Sequence, residues 1–575
     1  MKVKLAKTAG FCMGVRRAIE MVLTETNKSE NPIYTYGPII HNNQVLDLLA
    51  SKGVHSIEDL EGLKAGTIVI RAHGIPPKLR QYLKNSGLKL IDATCPRVIR
   101  VQTIIRSYTR KGYDVVILGD SDHPEVIGLM GYSEKPAYLI QALEDVAALP
   151  QLERLFVVAQ TTQDEQVFDE ITAAIKKRFP NTVIFNTICE ATHQRQQEIR
   201  NMAEQVDSMV IVGGYHSGNT QRLVQVADKA GLTTFHVETE HDLDKERLAQ
   251  MEIIGVTAGA STPNWMIKNV MQEIEGIRGR RDPFLFLFFK RVVKFLVLSN
   301  LAAATGAFSF AYSISTVSRV GQGDLFPILA FLYIYAMHVF NKSLDKMASV
   351  YNDPERAAFL KKHWRFLNLL GVIAIAVGMI VAYFISFTTM IALFALSLLG
   401  IFYSIPIIPV KKRWKYRYVK IKDVPGSRSL SEALAWVSVI SLLPLLNTQD
   451  IIWPVALTSI IVTFLISYVR TALFDIFQVQ GDLIVGIETL PITLGEKRTI
   501  ILLKSVLLIL GMILILTSFF DVFGTSSYIL LIPVMGLAAC LMAYEKRWFI
   551  PDINFEAIVE GNFILAGLVA FFLIT

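Results

Sequence analysis

From residue 293 onward, apolar windows of about twenty residues follow one another with short polar breaks. A helix of about twenty apolar residues matches the ~30 Å hydrocarbon layer of a bilayer, so the pattern reads as a polytopic all-α membrane region. Nine windows are expected, at 293–314, 325–340, 366–385, 388–408, 431–447, 451–473, 500–520, 526–544 and 556–575. Upstream the pattern is absent. Residues 1–282 carry 33 Lys and Arg against 34 Asp and Glu, and residues 283–575 carry 24 against 16. The net +7 of the 575-residue chain is therefore a near-neutral soluble part joined to a basic membrane part, and no nucleic acid is expected as partner. The expected boundaries are 1–277 for the soluble domain, 278–292 for a basic and apolar linker, and 293–575 for the membrane domain. Four cysteines in so long a chain exclude a disulfide-built secreted scaffold.

Lys and Arg alternate between the loops. Lys342, Lys346, Arg356, Lys361, Lys362 and Arg365 lie between the second and third windows, and Lys411 to Arg428 supply eight more between the fourth and fifth. Lys497 and Arg498 follow the sixth window, and Lys546 and Arg547 the eighth, whereas the other loops hold only Arg319. Basic loops stay in the cytoplasm. A multi-pass protein of the cytoplasmic membrane is expected, with the soluble domain cytoplasmic, the C-terminus outside and the lipid bilayer as a partner.

Two of the cytoplasmic loops carry acids beside the membrane. One runs from Asn341 and Lys342 to Asp345, then Ser349, Asn352 and Asp353. The other reads Asp475-Ile-Phe-Gln478-Val-Gln480-Gly481-Asp482, then Gly486 and Thr489-Leu-Pro491. Acids and an Asn at helix ends suit Mg²⁺ bridging a diphosphate, since magnesium takes oxygen ligands and shares them with phosphate. Arg470, Lys342 and Lys346 would add positive charge. Taken singly, either loop is equally well read as solvated charge near a headgroup layer. Together with Tyr403-Ser404 and Lys422-Asp423-Val424-Pro425-Gly426, these motifs make this half resemble the UbiA superfamily of intramembrane prenyltransferases. The resemblance implies transfer of a prenyl chain from an isoprenyl diphosphate, with Asn341, Asp345, Asp475 and Asp482 as Mg²⁺ ligands. Lys342, Ser349 and Gln478 stand where the family has acids, which keeps open a non-catalytic anchor or lipid-binding domain.

Residues 1–277 alternate β-rich runs (Thr67–Ile70, Val115–Leu118, Leu155–Ala159, Thr182–Phe185, Ser208–Val212) with helical patterns (Val15–Thr26, Pro96–Lys111, Glu165–Arg178). That is an α/β fold with parallel strands. Cys12, Cys95 and Cys189 each stand between a strand-like run and a helix, so three αβ units around a pseudo-threefold axis would bring three thiols together. Helix N-termini favour thiolates and metal ligation. A zinc site of three cysteines and a histidine, an iron–sulfur cluster, and three unrelated buried thiols all remain open at this point. Cys540 falls in the eighth window and reads as packing. His41, His73 and His123 occupy loops marked by glycine or proline. Together with the Ser217-Gly-Asn-Thr220 and Ser261-Thr-Pro263 segments they suit a diphosphate held by imidazolium and hydroxyl donors.

Gly10-Phe-Cys12, Asp92-Ala-Thr-Cys95-Pro96, His123-Pro-Glu125, Gln160-Thr-Thr162, Thr187-Ile-Cys189 with Arg195-Gln196, and Ala258-Gly-Ala-Ser261 occur in order. In these motifs the soluble half resembles the hydroxymethylbutenyl diphosphate reductase family, also called LytB or IspH. The resemblance implies a [4Fe–4S] cluster on Cys12, Cys95 and Cys189, with one iron free of protein ligands. It implies a diphosphate bound by His41, His73, His123, Ser217, Gly218, Asn219 and Ser261, with Gly218 standing where relatives often have a second Ser. Glu125, His123 and Thr161 would handle the substrate hydroxyl and the protons, and ferredoxin or flavodoxin would supply the electrons. The expected function is reductive dehydroxylation of 4-hydroxy-3-methylbut-2-enyl diphosphate, fused to prenyl transfer onto an unknown acceptor.

Overall fold

Short runs rich in Val and Ile, such as Leu155–Ala159 and Ser208–Val212, are buried along their whole length. Strands covered on both faces read as continuous apolar runs, the signature of parallel sheets flanked by helices. The computed structural model places them so. It describes residues 2–574 apart from 29–30, 60–62, 64, 278–283, 321–324, 345–350, 413–414, 422–423, 425, 486, 488, 547 and 549–550. The described chain divides into two units, Met1–Arg281 and Asp282–Thr575.

The first unit contains three four-stranded sheets, all parallel. One runs Lys2–Leu5, Ile253–Ala258, Ser208–Val212, Thr233–Val237, so the first strand closes against the last, with Lys2 opposite Ile253. The second runs Val54–Ile57, Ile33–Tyr36, Thr67–Ile70, Lys89–Asp92. The third runs Tyr138–Ile140, Asp114–Leu118, Leu155–Ala159, Val183–Ile184. The strand expected over 182–185 is paired only at Val183 and Ile184. Helices start where polar caps predict them: Asn42 accepts from the Val45 amide at 3.0 Å and Asp164 from Val167 at 3.0 Å.

The second unit is helical. Seven described helices are long and apolar enough to cross a membrane, and eight if one bent pair counts as a single span. That pair, Phe288–Leu298 and Leu301–Ser318, turns by 78°. The break falls at Asn300, whose φ of +66° is a left-handed conformation that asparagine tolerates better than most residues. The expected nine spans are not reached by this measure. The window read as 388–408 is a helix only over Phe387–Phe402, 16 residues, because Pro406–Lys412 leaves it to pair with Lys415–Lys420 in an antiparallel hairpin. The fusion linker expected to end at 292 already contains helix from Phe284.

Candidate functional site

In the first unit the three cysteines share one local geometry. Cys95 and Cys189 are the N-cap residues of Pro96–Arg110 and Glu190–Ala203, and Cys12 directly precedes Met13–Lys28. Each thiol accepts from amides in the first turn of its helix: Val15 to Cys12, Arg97 and Val98 to Cys95, Ala191 and Thr192 to Cys189. Burial pushes the Cys95 and Cys189 thiols up, and the helix amides pull them back down. All three are free and half-buried. Gly14 keeps the space between two of them open, since a Cβ there would stand 2.6 Å from Cys95 Sγ and 3.9 Å from Cys12 Sγ.

Each cysteine amide is also tied to one polar loop. Cys12 N donates to Ala260 O at 3.1 Å, Cys95 N to Ala72 O at 2.9 Å and Cys189 N to Thr161 O at 2.9 Å. These carbonyls flank or belong to Ser261, His73 and Thr161. Three backbone bonds thus lock the thiols to the loops that carry the other expected site residues.

Those residues come together. The rings of His41, His73 and His123 lie 4.9, 5.3 and 6.0 Å apart by centroid, with one nitrogen of each within 4.8 Å of the others. His41 Nε2, His73 Nδ1 and both polar atoms of the Asn219 side chain are buried without a hydrogen-bond partner among the described residues. Unpaired buried polar groups are costly, so this cluster is built for a polar ligand. Gly218 borders His123: a Cβ there would stand 3.4 Å from its Cδ2. Ser217 caps the helix Gly218–Lys229, and Ser261 Oγ donates to His41 O at 3.1 Å. Burial lowers all three histidines, His123 to about 4. The Arg71 guanidinium lowers them further. Arg71 is a site neighbour that the sequence analysis does not single out. His123 Nδ1 accepts from the Glu125 amide at 3.1 Å, so the neutral ring carries its proton on Nε2.

Glu125 is 1% exposed. Its carboxylate accepts from the Thr161 amide and from the Thr161 hydroxyl, both at 2.7 Å. Burial pushes its pKa up to about 7 in spite of those two bonds.

Residues 3–275 match the family model of the LytB proteins. The 4-hydroxy-3-methylbut-2-enyl diphosphate reductase of Alkaliphilus oremlandii (strain OhILAs) is 44% identical over 279 residues, which is 48% of this chain and all of that protein. The chain belongs to the LytB family. The reductase of the same name from Caldanaerobacter subterraneus subsp. tengcongensis is 43% identical over 286 residues, 49% of this chain and 99% of that protein. Residues 292–545 match the family model of the VviA prenyltransferases, so the LytB unit is joined to a prenyltransferase-like unit. A solved UbiA homolog from Archaeoglobus fulgidus bound to DMAPP and Mg²⁺ aligns at 14% identity and a TM-score of 0.35, over 48% of this chain and 98% of that one. In the LytB unit, three free thiols at three helix starts, with the Gly14 space between two of them, fit a cluster held by three cysteines.

The second unit has its own cavity of about 430 Å³. Asn341, Lys342, Asn352, Arg428 and Gln478 line it at the polar end, and Tyr333, Met337, Leu396 and Leu399 are among its apolar residues. The two loops read from the sequence do converge here: Asn352 Nδ2 donates to Asp482 Oδ1 at 2.9 Å, and Asn352 Oδ1 accepts from the Gly481 amide at 2.9 Å. Asp345, Lys346, Ser349 and Gly486 lie outside the described residues. Arg470 is not free to meet a ligand, being paired with Glu432 at 2.7 Å and with Glu560, under the Trp436 ring. Arg428, not singled out from sequence, bridges Asp482 at 3.0 Å, Gln478 at 2.8 Å and Asp475 at 3.5 Å.

Among the described donors expected for Mg²⁺, an arginine stands beside both aspartates. Asp475 and Asp482 are fully buried, and three of their four carboxylate oxygens accept hydrogen bonds, whereas Asp475 Oδ1 has no hydrogen-bond partner among the described residues and faces Arg428 Nε across 3.5 Å. The hydrogen-bond donors are Ser429 for Asp475, and Asn352 and Arg428 for Asp482. Asn341 Oδ1 accepts from Ser404 at 2.7 Å.

Proposed function

We propose that residues 1–277 reduce 4-hydroxy-3-methylbut-2-enyl diphosphate to isopentenyl and dimethylallyl diphosphates. The observation that carries this is the buried Glu125–Thr161 pair, set beside three histidines with unpaired nitrogens and three cysteines tied to the same loops. A pseudo-threefold arrangement of the three sheets would bring Cys12, Cys95 and Cys189 around one [4Fe–4S] cluster. When bound, that cluster supplies single electrons and a Lewis-acid iron. Ferredoxin or flavodoxin is the proposed electron donor.

The chain's own residues do the rest. His41, His73, His123, Ser217, Asn219 and Ser261 hold the diphosphate, and its charge draws protons onto imidazoles that burial keeps neutral without it. The amide of Gly218 faces the same anion. Thr161 Oγ bridges the substrate hydroxyl and Glu125, so a proton leaves the carboxyl through the threonine as the hydroxyl departs as water. Loss of the hydroxyl consumes two electrons and two protons: one proton leaves in the water and one is added to the carbon skeleton. A pKa of about 7 suits Glu125 to giving and regaining a proton near neutrality. The anaerobically reduced protein is expected to convert the substrate into both five-carbon products. Failure to do so with the cluster intact overturns the reading.

The prenyltransferase-like unit is proposed to sit in the cytoplasmic membrane, with the reductase unit on the cytoplasmic side and the C-terminus outside. It takes an isoprenyl diphosphate and passes its prenyl group to an acceptor. A second reading, lipid binding without transfer, is favoured by the guanidinium on Asp475 and Asp482. An acceptor screen with labelled geranylgeranyl diphosphate separates them: labelled product supports transfer, and unchanged substrate supports binding alone.

A further inference from the structure

We propose that the membrane unit grips the diphosphate of an isoprenyl lipid with fixed cations, Arg428 and Lys342, in place of Mg²⁺. This rests on the reading that the cavity takes an isoprenyl diphosphate, and it changes what holds the anion there.

Asp475 and Asp482 anchor an arginine. Arg428 spends its Nη1 on Asp482 and its Nη2 on Gln478, with its Nε 3.5 Å from Asp475 Oδ1, which fixes the guanidinium plane. A divalent ion would have to evict that plane from two fully buried acids, leaving a cation without its partners. Gln478 suits the arginine better than an acid would, because its neutral oxygen completes the grip without a third negative charge. Arg428 is 29% exposed and lines the cavity, so a planar donor group meets the ligand where the acids do not. Guanidinium matches phosphate oxygens in geometry as well as charge.

Lys342 is the second, independent sign. It lines the same cavity, and its ammonium donates to the side-chain oxygen of Asn300 at 2.7 Å, a neutral partner. An ammonium in a buried wall is stabilised by an anion opposite it. The neighbouring cations are already matched: Arg356 pairs with Asp353 and Glu556, and Arg470 with Glu432 and Glu560. The acids facing the cavity, Asp353 and Glu432, are the partners in those pairs.

The test is equilibrium binding of farnesyl thiodiphosphate, a non-reacting probe, to the full-length protein in lipid nanodiscs, with EDTA and with added MgCl₂. Affinities within about twofold in the two buffers are expected, with binding weakened at least about tenfold by Arg428→Gln, and likewise by Lys342→Gln. The loss in these variants assigns the signal to the membrane unit, and weak competition by inorganic pyrophosphate shows that the lipid tail is part of the ligand. Arg428→Lys covers the case in which the glutamine variant does not fold, and is expected to weaken binding because it loses the fork. Binding that appears only with Mg²⁺ overturns the proposal and leaves the isoprenyl diphosphate reading standing. Metal-independent binding that survives both substitutions overturns the assignment to Arg428 and Lys342. No binding in either buffer overturns the reading of the cavity itself.

Discussion

The two sites for which a diphosphate is proposed are built in different ways. In the reductase unit the polar groups are left incomplete: His41, His73 and Asn219 carry buried atoms with no partner. In the membrane unit the acids are largely engaged by side chains of the unit itself: Asp482 accepts from Asn352 and Arg428, Asp475 accepts from Ser429, and only Asp475 Oδ1 lacks a hydrogen bond, facing Arg428 at 3.5 Å. The first site keeps several polar atoms open, whereas the second is organised around an arginine. Residue types alone do not separate these cases. Histidines in loops and aspartates at helix ends both suggest anion chemistry, and only the partners show which groups have capacity left.

Four substitutions probe that contrast. Cys95→Ser should remove iron and all reductase activity together, read by iron analysis and product assay, while the farnesyl thiodiphosphate binding proposed for the membrane unit stays unchanged. Loss of both functions would show that the units do not act separately. Glu125→Gln should lower reductase turnover by about 10²–10⁴-fold at unchanged iron content. It also carries a pH signature. The folded pKa of Glu125, about 7, lies above its ordinary 4.5. The native state therefore keeps a proton that the unfolded chain has released, and stability falls as pH rises through that window. Removing the carboxyl should stabilise the protein above pH 7 by up to about 3 kcal/mol and do nothing at pH 4, read as denaturation midpoints. An equal shift at both values would refute the buried, protonated carboxyl.

In the membrane unit, Arg470→Met leaves Glu560 buried and Glu432 half-buried without the arginine. A loss of about 3–5 kcal/mol is expected for a broken buried pair, measured by thermal unfolding in detergent. A neutral result would mean that these charges are solvated. The smallest effect belongs to Gly218→Ser. A Cβ there would be 3.4 Å from His123 Cδ2, ordinary contact, so the side chain fits and KM for the diphosphate substrate should change by less than about fivefold.

Much of the reductase site was legible because its residues sit in turns with strong local grammar. Gly10-Phe-Cys12 and Cys95-Pro96 mark strand-to-helix junctions whatever the rest of the chain does. Thr161 and Glu125 were readable as neighbours through resemblance, but their double hydrogen bond was not, since it joins loops 36 residues apart. Arg71 was passed over because an arginine after a strand is usually solvated, and only the packing places it beside three histidines. The membrane half was legible in its hydropathy and less so in its boundaries. Residues 406–408 are apolar and merge by composition with the window before them, and the basic run from Lys411 was read as loop, so neither strand of the hairpin was expected. Arg428 looked like one more charge in a basic loop. Its role depends on partners 47 and 54 residues away, which no local pattern encodes.

Metal and sulfide content per chain of the full-length protein, purified without oxygen, bears most directly on the reductase assignment. About four irons with matching sulfide and a brown colour are expected, all lost together in Cys95→Ser. A colourless protein with one zinc per chain on the same three cysteines would contradict it.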